Sequence, residues 1–309
     1  MRFEAGFDVV TLDEMRIVSL LPSTTEILFA VGAGDDVVGV TFECDFPAEA
    51  RSRHIVSLST LPENLSPAEI DAIVKSRMAA GEELYRLDER ALDGLDPDLV
   101  VTQDLCAVCA VAVDSVDAAL DPLGCRAEVL TIDPMTLDAV IDSITVLGAA
   151  TGNDDRAADL VDGLRARLAA VRTAVAGRPQ PRVAVLEWTD PLFGAGHWVP
   201  DMVAAAGARS VLGAGGANSH QVDAQTLRDA EPDIVVVAPC GYRLDGATEL
   251  ARVLHESGVV PTTAELWAVD ADAMFVRPGP RLVDGVEVLA GIAHPDAVAP
   301  NRGAATRVV

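Results

Sequence analysis

An alternation of short apolar runs with longer helical segments constrains the fold most, and it occurs twice along the chain. Within residues 16–135, runs such as Arg16–Leu21 and Asp98–Thr102 are rich in Val, Ile and Leu, and segments with helix starts and glycine stops separate them. The same alternation returns within residues 178–295. Apolar runs joined by helices are typical of a parallel sheet covered by helices on both faces. The sequence therefore predicts an α/β fold with two Rossmann-like, parallel-sheet lobes.

The segment between the two alternations, residues 136–177, contains no strand pattern. Its residues predict helix over Thr136–Ala150 and again from Asn153 to Ala176. A helix of this second length spans roughly 35 Å, about the width of one domain. We therefore expect a long linker helix between the lobes and a ligand cleft between them, lined by loops at the carboxyl ends of the strands. Residues 296–309 are expected to form a disordered tail.

Net charge and the lengths of the apolar runs exclude two classes of partner. The chain has 48 Asp and Glu residues against 23 Lys and Arg, a formal charge of −25. Such an acidic surface repels phosphate backbones, so nucleic acid is not an expected partner. No apolar run reaches the roughly 18–20 residues of a membrane span. The first residues lack the basic start and apolar core of an export signal, which predicts a cytoplasmic protein as written, or an extracytoplasmic one if the true start lies upstream.

Several motifs resemble the periplasmic substrate-binding proteins of iron-chelate and cobalamin uptake systems. A strand is followed by the helix start Pro22–Glu26, then by Val38–Val40 and the loop Asp45–Pro47, in the order typical of that family. The resemblance continues through Pro97–Val101 to Phe275–Pro295. It is greatest with the cobalamin-binding branch, on three further stretches: Tyr85–Leu92, Thr102–Val111 and Glu187–Met202.

This resemblance implies a binding protein and not an enzyme. Two rigid lobes would capture one cobalamin or related corrinoid between them and pass it to an ABC permease, with no cofactor required. The family's permease partners dock on acidic residues at the tops of the lobes. By motif position Glu69 matches the first of these, while Asp223 or Gln225 stands where the second lobe of the family carries a Glu.

The candidate binding residues follow from the chemistry of a corrinoid, a flat amphipathic macrocycle rimmed by amides. Such a ligand needs an apolar or aromatic floor and hydrogen-bonding groups around its rim. The loop from Glu187 to Trp198 offers this mixture and holds two of the three tryptophans. In the same loop, His197 is a candidate rim donor or cobalt ligand. The candidate ligand-binding residues are Ser23, Thr24, Glu43, Cys44, Asp45, Gln103, Asp104, Glu187, Trp188, Phe193, His197, Trp198, Phe275 and Arg277.

Some of these residues also have a purely structural interpretation. Ser23 and Thr24 could do no more than cap a helix, because a helix start needs such acceptors. Trp188 and Trp198 could be ordinary anchors at the edge of the core, and Arg277 could form a surface salt bridge. The sequence leaves both interpretations open.

Two other functions compete with corrinoid binding. The first is capture of an iron–siderophore or of haem. The small supply of Arg and Tyr in the cleft loops argues against an anionic siderophore, and haem would find His197 and Cys44, or the C-x2-C pair Cys106 and Cys109, as ligands. The second is a thiol-dependent corrinoid- or metal-processing enzyme that uses this pair, which stands near a predicted helix start where thiolates are stabilised. The pair could also form a disulfide or bind a soft metal.

Overall fold

The computed structural model of the chain describes residues 15–62, 65–80, 82, 84–103 and 127–309, and the structural statements below concern these residues. Among the candidate residues, Asp104, Cys106 and Cys109 lie outside them. Within the described part of the chain, no helix combines the length and the apolar character needed to cross a bilayer.

The N-terminal lobe is built on a parallel sheet. The strands of this lobe within the described residues are β1 (Ile17–Ser19), β2 (Val37–Val40), β3 (His54–Ile55), β4 (Ser57–Ser59), β5 (Tyr85–Leu87), β6 (Leu99–Thr102) and β7 (Glu128–Thr131). The sheet has the order β3-β2-β1-β6-β7 with all neighbours parallel, while β4 and β5 form a separate antiparallel pair. Neighbouring residues of one strand face opposite cores, as Ile17 and Val18 do in β1, which explains why the strands read as continuous apolar runs.

The α-helices of this lobe that fall within the described residues are α1 (Pro22–Ala30), α2 (Pro67–Ala80) and α3 (Glu89–Leu92). Helix α1 begins with Pro22 in its first turn, where a missing N–H has no cost. It ends before Gly32, whose φ of +89° is open to glycine without strain. The start of α1 therefore follows directly from the carboxyl end of β1, at the edge of the sheet where ligands bind in folds of this class.

Two helices connect the lobes, α4 (Leu137–Ala150) and α5 (Asp154–Val175). The long helix expected from the sequence is α5, and it is preceded by the shorter α4. Gly152, with a φ of +66°, ends the first helix before the second begins. The two helices pack closely at Gly148, because a Cβ atom added there would lie 2.3 Å from the Cβ of Ala157.

The C-terminal lobe carries a larger, mixed sheet. The strands of this lobe are β8 (Arg182–Thr189), β9 (Leu192–Gly194), β10 (Arg209–Ser210), β11 (His220–Gln221), β12 (Ile234–Val237), β13 (Glu265–Val269) and β14 (Ala305–Arg307). The order is β11-β9-β8-β12-β13-β14, with β10 also beside β8. Strands β8, β12 and β13 form the parallel centre, and antiparallel strands flank it. The helices are α6 (Val199–Ala205), α7 (Ala224–Asp229), α8 (Leu244–Glu256), α9 (Ala271–Met274) and α10 (Leu282–Ala293).

The last residues of the chain differ from the expected disordered tail. They form β14, which runs antiparallel to β13, and Val308 N donates a hydrogen bond of 2.7 Å to the Leu266 carbonyl oxygen. Ala304 and Ala305 are buried. Backbone pairing with an exposed sheet edge stabilises this strand, and such pairing leaves little signal in a short sequence of small and polar residues.

One apolar core joins both lobes and the linker. The largest cluster of buried side chains includes Ile17 of the first sheet, Ile144 of α4 and Val185 of the second sheet, each at most 1% exposed. Asp201 in α6 also accepts a hydrogen bond of 3.1 Å from Leu137 N at the start of α4. Apolar burial stabilises a fold by about 25 cal/mol per Å², so separating the lobes would cost the free energy of this shared core.

Truncation of a linker residue tests this core. We expect Ile144→Ala to lower the free energy of unfolding by about 2–5 kcal/mol, because the cavity it leaves lies between packed layers. The matched control is Val146→Ala in the same helix, where the side chain is 46% exposed; its expected effect is below about 0.5 kcal/mol. Urea denaturation measures both, and equal losses would contradict the placement of the core.

Candidate functional site

Loops at the carboxyl ends of strands from both lobes meet at the lobe interface. Charged side chains of these loops form what we call the interlobe charge cluster. Its N-terminal members lie in α1 and in the loop after β2, and its C-terminal members follow β12 and β13. Parallel strands bring such loops to one edge of each sheet, so the fold assembles residues that are distant in sequence. The members are Glu26, Asp45, Arg243, Asp272, Arg277 and Arg281.

Arg277 occupies the centre of the interlobe charge cluster. Its Nη1 lies 2.5 Å from Asp45 Oδ1 and 3.7 Å from Glu26 Oε1, and its Nη2 lies 3.0 Å from Asp272 Oδ2. Arg281 donates to the Glu26 carboxylate through both Nε, at 2.9 Å, and Nη2. The side chains of Glu26, Asp45 and Arg277 are 2%, 10% and 11% exposed. Charges this deeply buried persist because they are paired, since desolvation of an unpaired ion costs several kcal/mol.

Burial and pairing shift the pKa values of Glu26 and Asp45, the two carboxyl groups from the N-terminal lobe, in opposite directions. Burial raises the pKa of Glu26 above its ordinary value, although the hydrogen bond and charge of Arg281 oppose the rise. Burial also acts to raise the pKa of Asp45, but there the hydrogen bonds and charges of Arg277 and Arg243 prevail, and the pKa is lowered. Arg243 contacts Asp45 from the exposed side of the cluster, and Arg51 Nη2 lies 3.4 Å from Asp45 Oδ2. The Asp45 carboxylate is therefore shared among three guanidinium groups.

Aromatic side chains lie beside the interlobe charge cluster. Phe42 and Phe46, in the loop after β2, are 36% and 45% exposed, and the Arg281 guanidinium carbon lies 4.2 Å from the centre of the Phe46 ring. In the C-terminal lobe, Trp188 packs edge-on against Tyr242, with ring centres 6.0 Å apart. Aromatic residues make up 4% of the chain, and those collected here form a surface with the shape and chemistry suited to flat, partly apolar groups.

A second contact between the lobes involves α2. Trp188 Nε1 donates a hydrogen bond of 3.2 Å to the carbonyl oxygen of Pro67 in the opposite lobe. Lys75, the single lysine of the sequence, lies with its Nζ 3.4 Å from Gln221 Oε1 and 6.0 Å from the centre of the Phe193 ring. The predicted binding residues Trp188 and Phe193 therefore lie at the lobe interface.

His197 lies in a short loop with an unusual backbone conformation. Its φ of +51° is in the left-handed region, which costs energy for a residue with a side chain. A second loop fixes this geometry, because His197 N donates to Ala217 O at 2.6 Å and Gly216 N donates to His197 O at 3.0 Å. Burial lowers the pKa of the imidazole below its ordinary value, against a hydrogen bond with Asn218 that raises it. The ring is therefore neutral at pH 7, the form that can donate, accept or coordinate.

Trp198 and Phe275 do not lie where a ligand would contact them. They are 6% and 1% exposed, and Trp198 Nε1 donates a hydrogen bond of 2.7 Å to the Phe275 carbonyl oxygen. Both side chains belong to the core that joins the lobes. They support the loops of the site from within, as the edge-of-core interpretation of Trp198 had it.

The polar candidates of the N-terminal lobe are mostly enclosed as well. Ser23, Thr24, Cys44 and Gln103 are at most 6% exposed. The Thr24 hydroxyl is bonded within the turn after β1. Burial raises the pKa of the Cys44 thiol, against hydrogen bonds from neighbouring threonines, so this group is a protonated thiol at pH 7. Glu43, in the same loop, is partly exposed.

Most members of the interlobe charge cluster were not predicted from the sequence, and the expected small supply of Arg and Tyr in the cleft loops is wrong. Arginine is not scarce at the lobe interface, because Arg243, Arg277 and Arg281 converge there, with Tyr242 beside them. A signal was available, since Arg277 and Arg281 lie four residues apart just after the last central strand. Their partner Glu26 resembles an ordinary helix-start carboxylate and carries no signal of its own.

The residues predicted to dock a permease lie at helix starts on different lobes. Glu69 Oε2 accepts hydrogen bonds from Ser66 N at 2.8 Å and Ser66 Oγ at 2.6 Å at the start of α2. Asp223 caps α7 by accepting from Thr226 N at 2.7 Å, and Gln225 lies in the same turn. All three candidates are exposed, and these hydrogen bonds lower the pKa of both carboxyl groups. Their role in docking stays a prediction.

Coordination of a free metal ion would need several protein ligands together. Among the described residues, no group of three His, Cys, Asp or Glu side chains is arranged to hold one. His197 can instead act as a single ligand to a metal whose other positions are already filled.

Two α/β lobes on a helical linker, with strand-end loops that meet at the lobe interface, define a two-lobed solute-binding protein. The family described as periplasmic binding protein matches residues 17–264. The chain belongs to this family. The predicted resemblance is thereby confirmed, and a family of binding proteins agrees with the prediction that the chain is not an enzyme.

Relatives extend over nearly the whole chain. An uncharacterized ABC transporter substrate-binding lipoprotein of Bacillus subtilis is 26% identical over 293 residues, which cover 91% of this chain and 80% of that protein. A cobalamin-binding protein of Halobacterium salinarum is 26% identical over 301 residues, covering 94% of this chain and 73% of that protein. Among solved structures, a periplasmic heme-binding protein from Pseudomonas aeruginosa superposes with a TM-score of 0.66 at 22% identity, covering 95% of this chain and 97% of that one.

Removal of the central arginine tests the interlobe charge cluster. We expect Arg277→Met to lower the free energy of unfolding by about 3–5 kcal/mol, because it leaves buried carboxylates without a partner. The control is Arg252→Met in α8, which breaks a pair with Glu249 whose side chains are 59% and 68% exposed; its expected loss is below about 1 kcal/mol. A loss for Arg277→Met no greater than that of the control would show that the cluster does not stabilise the fold.

The lowered pKa of Asp45 predicts a pH dependence. A carboxyl group with a lower pKa in the folded state stabilises the fold above its unfolded pKa, and this contribution is lost as the pH falls through the folded pKa. Asp45→Asn should therefore reduce the free energy of unfolding at pH 7, and the difference from wild type should shrink toward pH ~3. Urea titrations at several pH values measure this, and a difference independent of pH would contradict it.

Proposed function

We propose that this protein captures a corrinoid between its two lobes and delivers it to an ABC permease. Phe42 and Phe46 of one lobe, with Trp188 and Tyr242 of the other, supply the aromatic surface for the flat faces of the macrocycle. Glu43 and Glu187, both partly exposed, are placed to accept hydrogen bonds from the amide rim. In this proposal the corrinoid is captured without chemical change, and the protein needs no cofactor of its own.

The observation that carries this proposal is the exposure of Phe46 at the lobe interface. One side of the Phe46 ring packs against Arg281, whose guanidinium carbon lies 4.2 Å from the ring centre, yet the residue remains 45% exposed. Exposed aromatic surface at a lobe interface, shared with Phe42, supports a binding site for a flat ligand. The cobalamin-binding protein of Halobacterium salinarum, which aligns along nearly the whole chain, supports a corrinoid as the cargo.

Haem or an iron chelate is the second candidate cargo. The three arginines at the lobe interface are the groups that bind carboxylates, and haem carries two of these. The similarity in fold to a heme-binding protein is consistent with such a cargo. Against it, each of these arginines already faces an acidic side chain of the protein, so an anionic cargo would have to compete for its partners.

Delivery to a permease places the protein at the outer face of the membrane. The relative described as an ABC transporter substrate-binding lipoprotein supports this location and partner. Glu69 on one lobe and Asp223 on the other are exposed acidic groups on which a basic permease surface could dock. Cargo binding and permease docking would then use different surfaces of the same two lobes.

Titration of the purified full chain with cyanocobalamin, followed by calorimetry and corrin absorbance, tests the proposal. We expect Phe46→Ala to weaken binding by at least about tenfold, equivalent to about 1.4 kcal/mol, because it removes an aromatic contact. The control is Val253→Ala, a 56% exposed residue of α8 on the outer side of the C-terminal lobe, which should bind like wild type. Haemin binding without cyanocobalamin binding would select haem as the cargo, and binding of neither would refute both corrinoid and haem.

A further inference from the structure

The loop that carries His197 is locked by residues 213–219, which we call the clamp loop. Gly196 packs so closely against it that an added Cβ would lie 2.4 Å from Ser219 N and 2.5 Å from Ala217 O. Gly213 has a φ of +78°, and a Cβ there would lie 1.9 Å from the Ala195 carbonyl oxygen. With the two backbone hydrogen bonds to His197 described above, these contacts leave the histidine backbone no freedom to turn. These contacts hold the His197 backbone in an unfavourable conformation and so fix the position from which its imidazole extends.

Ser219 joins this backbone to the imidazole and to a carboxylate. Its hydroxyl donates to Glu187 Oε2 and accepts from Gly196 N at 3.1 Å. The same Oγ lies 3.5 Å from His197 Nδ1, a long contact that a small ring movement can shorten. Glu187 lies near the carboxyl end of β8, where its carbonyl oxygen accepts a hydrogen bond from Cys240 N in the loop after β12. The group therefore lies at the edge of the sheet that faces the other lobe.

The direction of these hydrogen bonds determines which imidazole nitrogen carries a proton. An ionised carboxylate can only accept, so the single Ser219 proton points to Glu187. The lone pairs of Oγ are then left for Gly196 N–H and for His197 Nδ1, which must itself be the donor. Asn218 also hydrogen-bonds the imidazole, but an amide can donate or accept, so it adapts to the tautomer and does not set it. With Nδ1–H donating to Ser219, Nε2 is the ring nitrogen that carries the lone pair.

We propose that Ser219 is a positioning residue that presents His197 Nε2 to the metal at the centre of a tetrapyrrole cargo. This inference rests on the proposed function and narrows it to cargo whose metal has an exchangeable axial position. Glu187 acts one step further out, by orienting the Ser219 hydroxyl. Partners of this kind behind a metal-binding histidine fix its orientation and tautomer, and their loss typically weakens metal binding about 10–100-fold.

Comparing two corrinoids distinguishes coordination of the cobalt by His197 from binding of the macrocycle without coordination. Aquocobalamin has a water that an imidazole can replace, with a shift of the visible corrin bands, whereas cyanocobalamin has both axial positions filled. For the purified full chain we compare the ratio of the two dissociation constants with the band shift. Wild type should bind aquocobalamin with shifted bands and more tightly than cyanocobalamin, and His197→Ala should lose the shift and bring the ratio to near one.

The Ser219 variants test the positioning role itself. Ser219→Ala should reduce the preference for aquocobalamin by about tenfold or more and weaken the band shift, while Ser219→Thr, which keeps the hydroxyl, should retain both. Glu187→Gln should have an intermediate effect, because an amide can turn the hydroxyl toward the histidine. Equal weakening of both corrinoids in Ser219→Ala would show a merely structural role and overturn the inference.

The outcomes distinguish this inference from the proposed function. Cyanocobalamin binding with no band shift for aquocobalamin would keep corrinoid capture and overturn the role of His197 and Ser219. Binding of haemin alone, with an absorption shift that depends on both residues, would support the inference and overturn the corrinoid. Binding of none of the three ligands would overturn the function and with it the inference.

Discussion

The pairing of Arg277 and Arg281 with Asp45 and Glu26 determines how the two lobes face each other. In these pairs the N-terminal lobe supplies the carboxylates and the C-terminal lobe supplies the guanidinium groups. Asp272 adds a partner to Arg277 and Arg51 adds one to Asp45 within their own lobes, so contact between the lobes completes the neutralisation of their buried charges. The shared apolar core and the two linker helices also hold the lobes in this arrangement. The aromatic loops are thus held opposite each other across one interface, where they form a surface that neither lobe has alone.

Much of the fold can be read from the sequence because parallel strands buried on both faces need unbroken apolar runs. Ile234–Val237 is such a strand, and its four consecutive β-branched residues favour a buried strand over a helix. The strand at Ala305–Arg307 cannot be read in this way, because its stability comes from an edge it pairs with and not from its own side chains. A local sequence pattern therefore cannot predict a strand that is stabilised mainly by backbone hydrogen bonds to a distant element.

The candidate site was located by loop position but not residue by residue. Trp188 and Trp198 share one aromatic loop, yet one lies at the interface and the other lies in the core, because the reversal from β8 to β9 turns the chain between them. Ser219 offered no signal, since its relation to Glu187 and His197 depends on the packing of two glycines against a separate loop. Which side of a loop faces a ligand is a tertiary property.

The position of β14 makes the two lobes unequal during synthesis. The last described strand of the first sheet along the chain, β7, ends at Thr131, so all the described strands of that sheet are available early in synthesis. One edge of β13 remains without a neighbour until residues 305–307 have left the ribosome. In the nascent chain this open edge is a place where a foreign strand could pair, and the C-terminal residues act as its built-in cover.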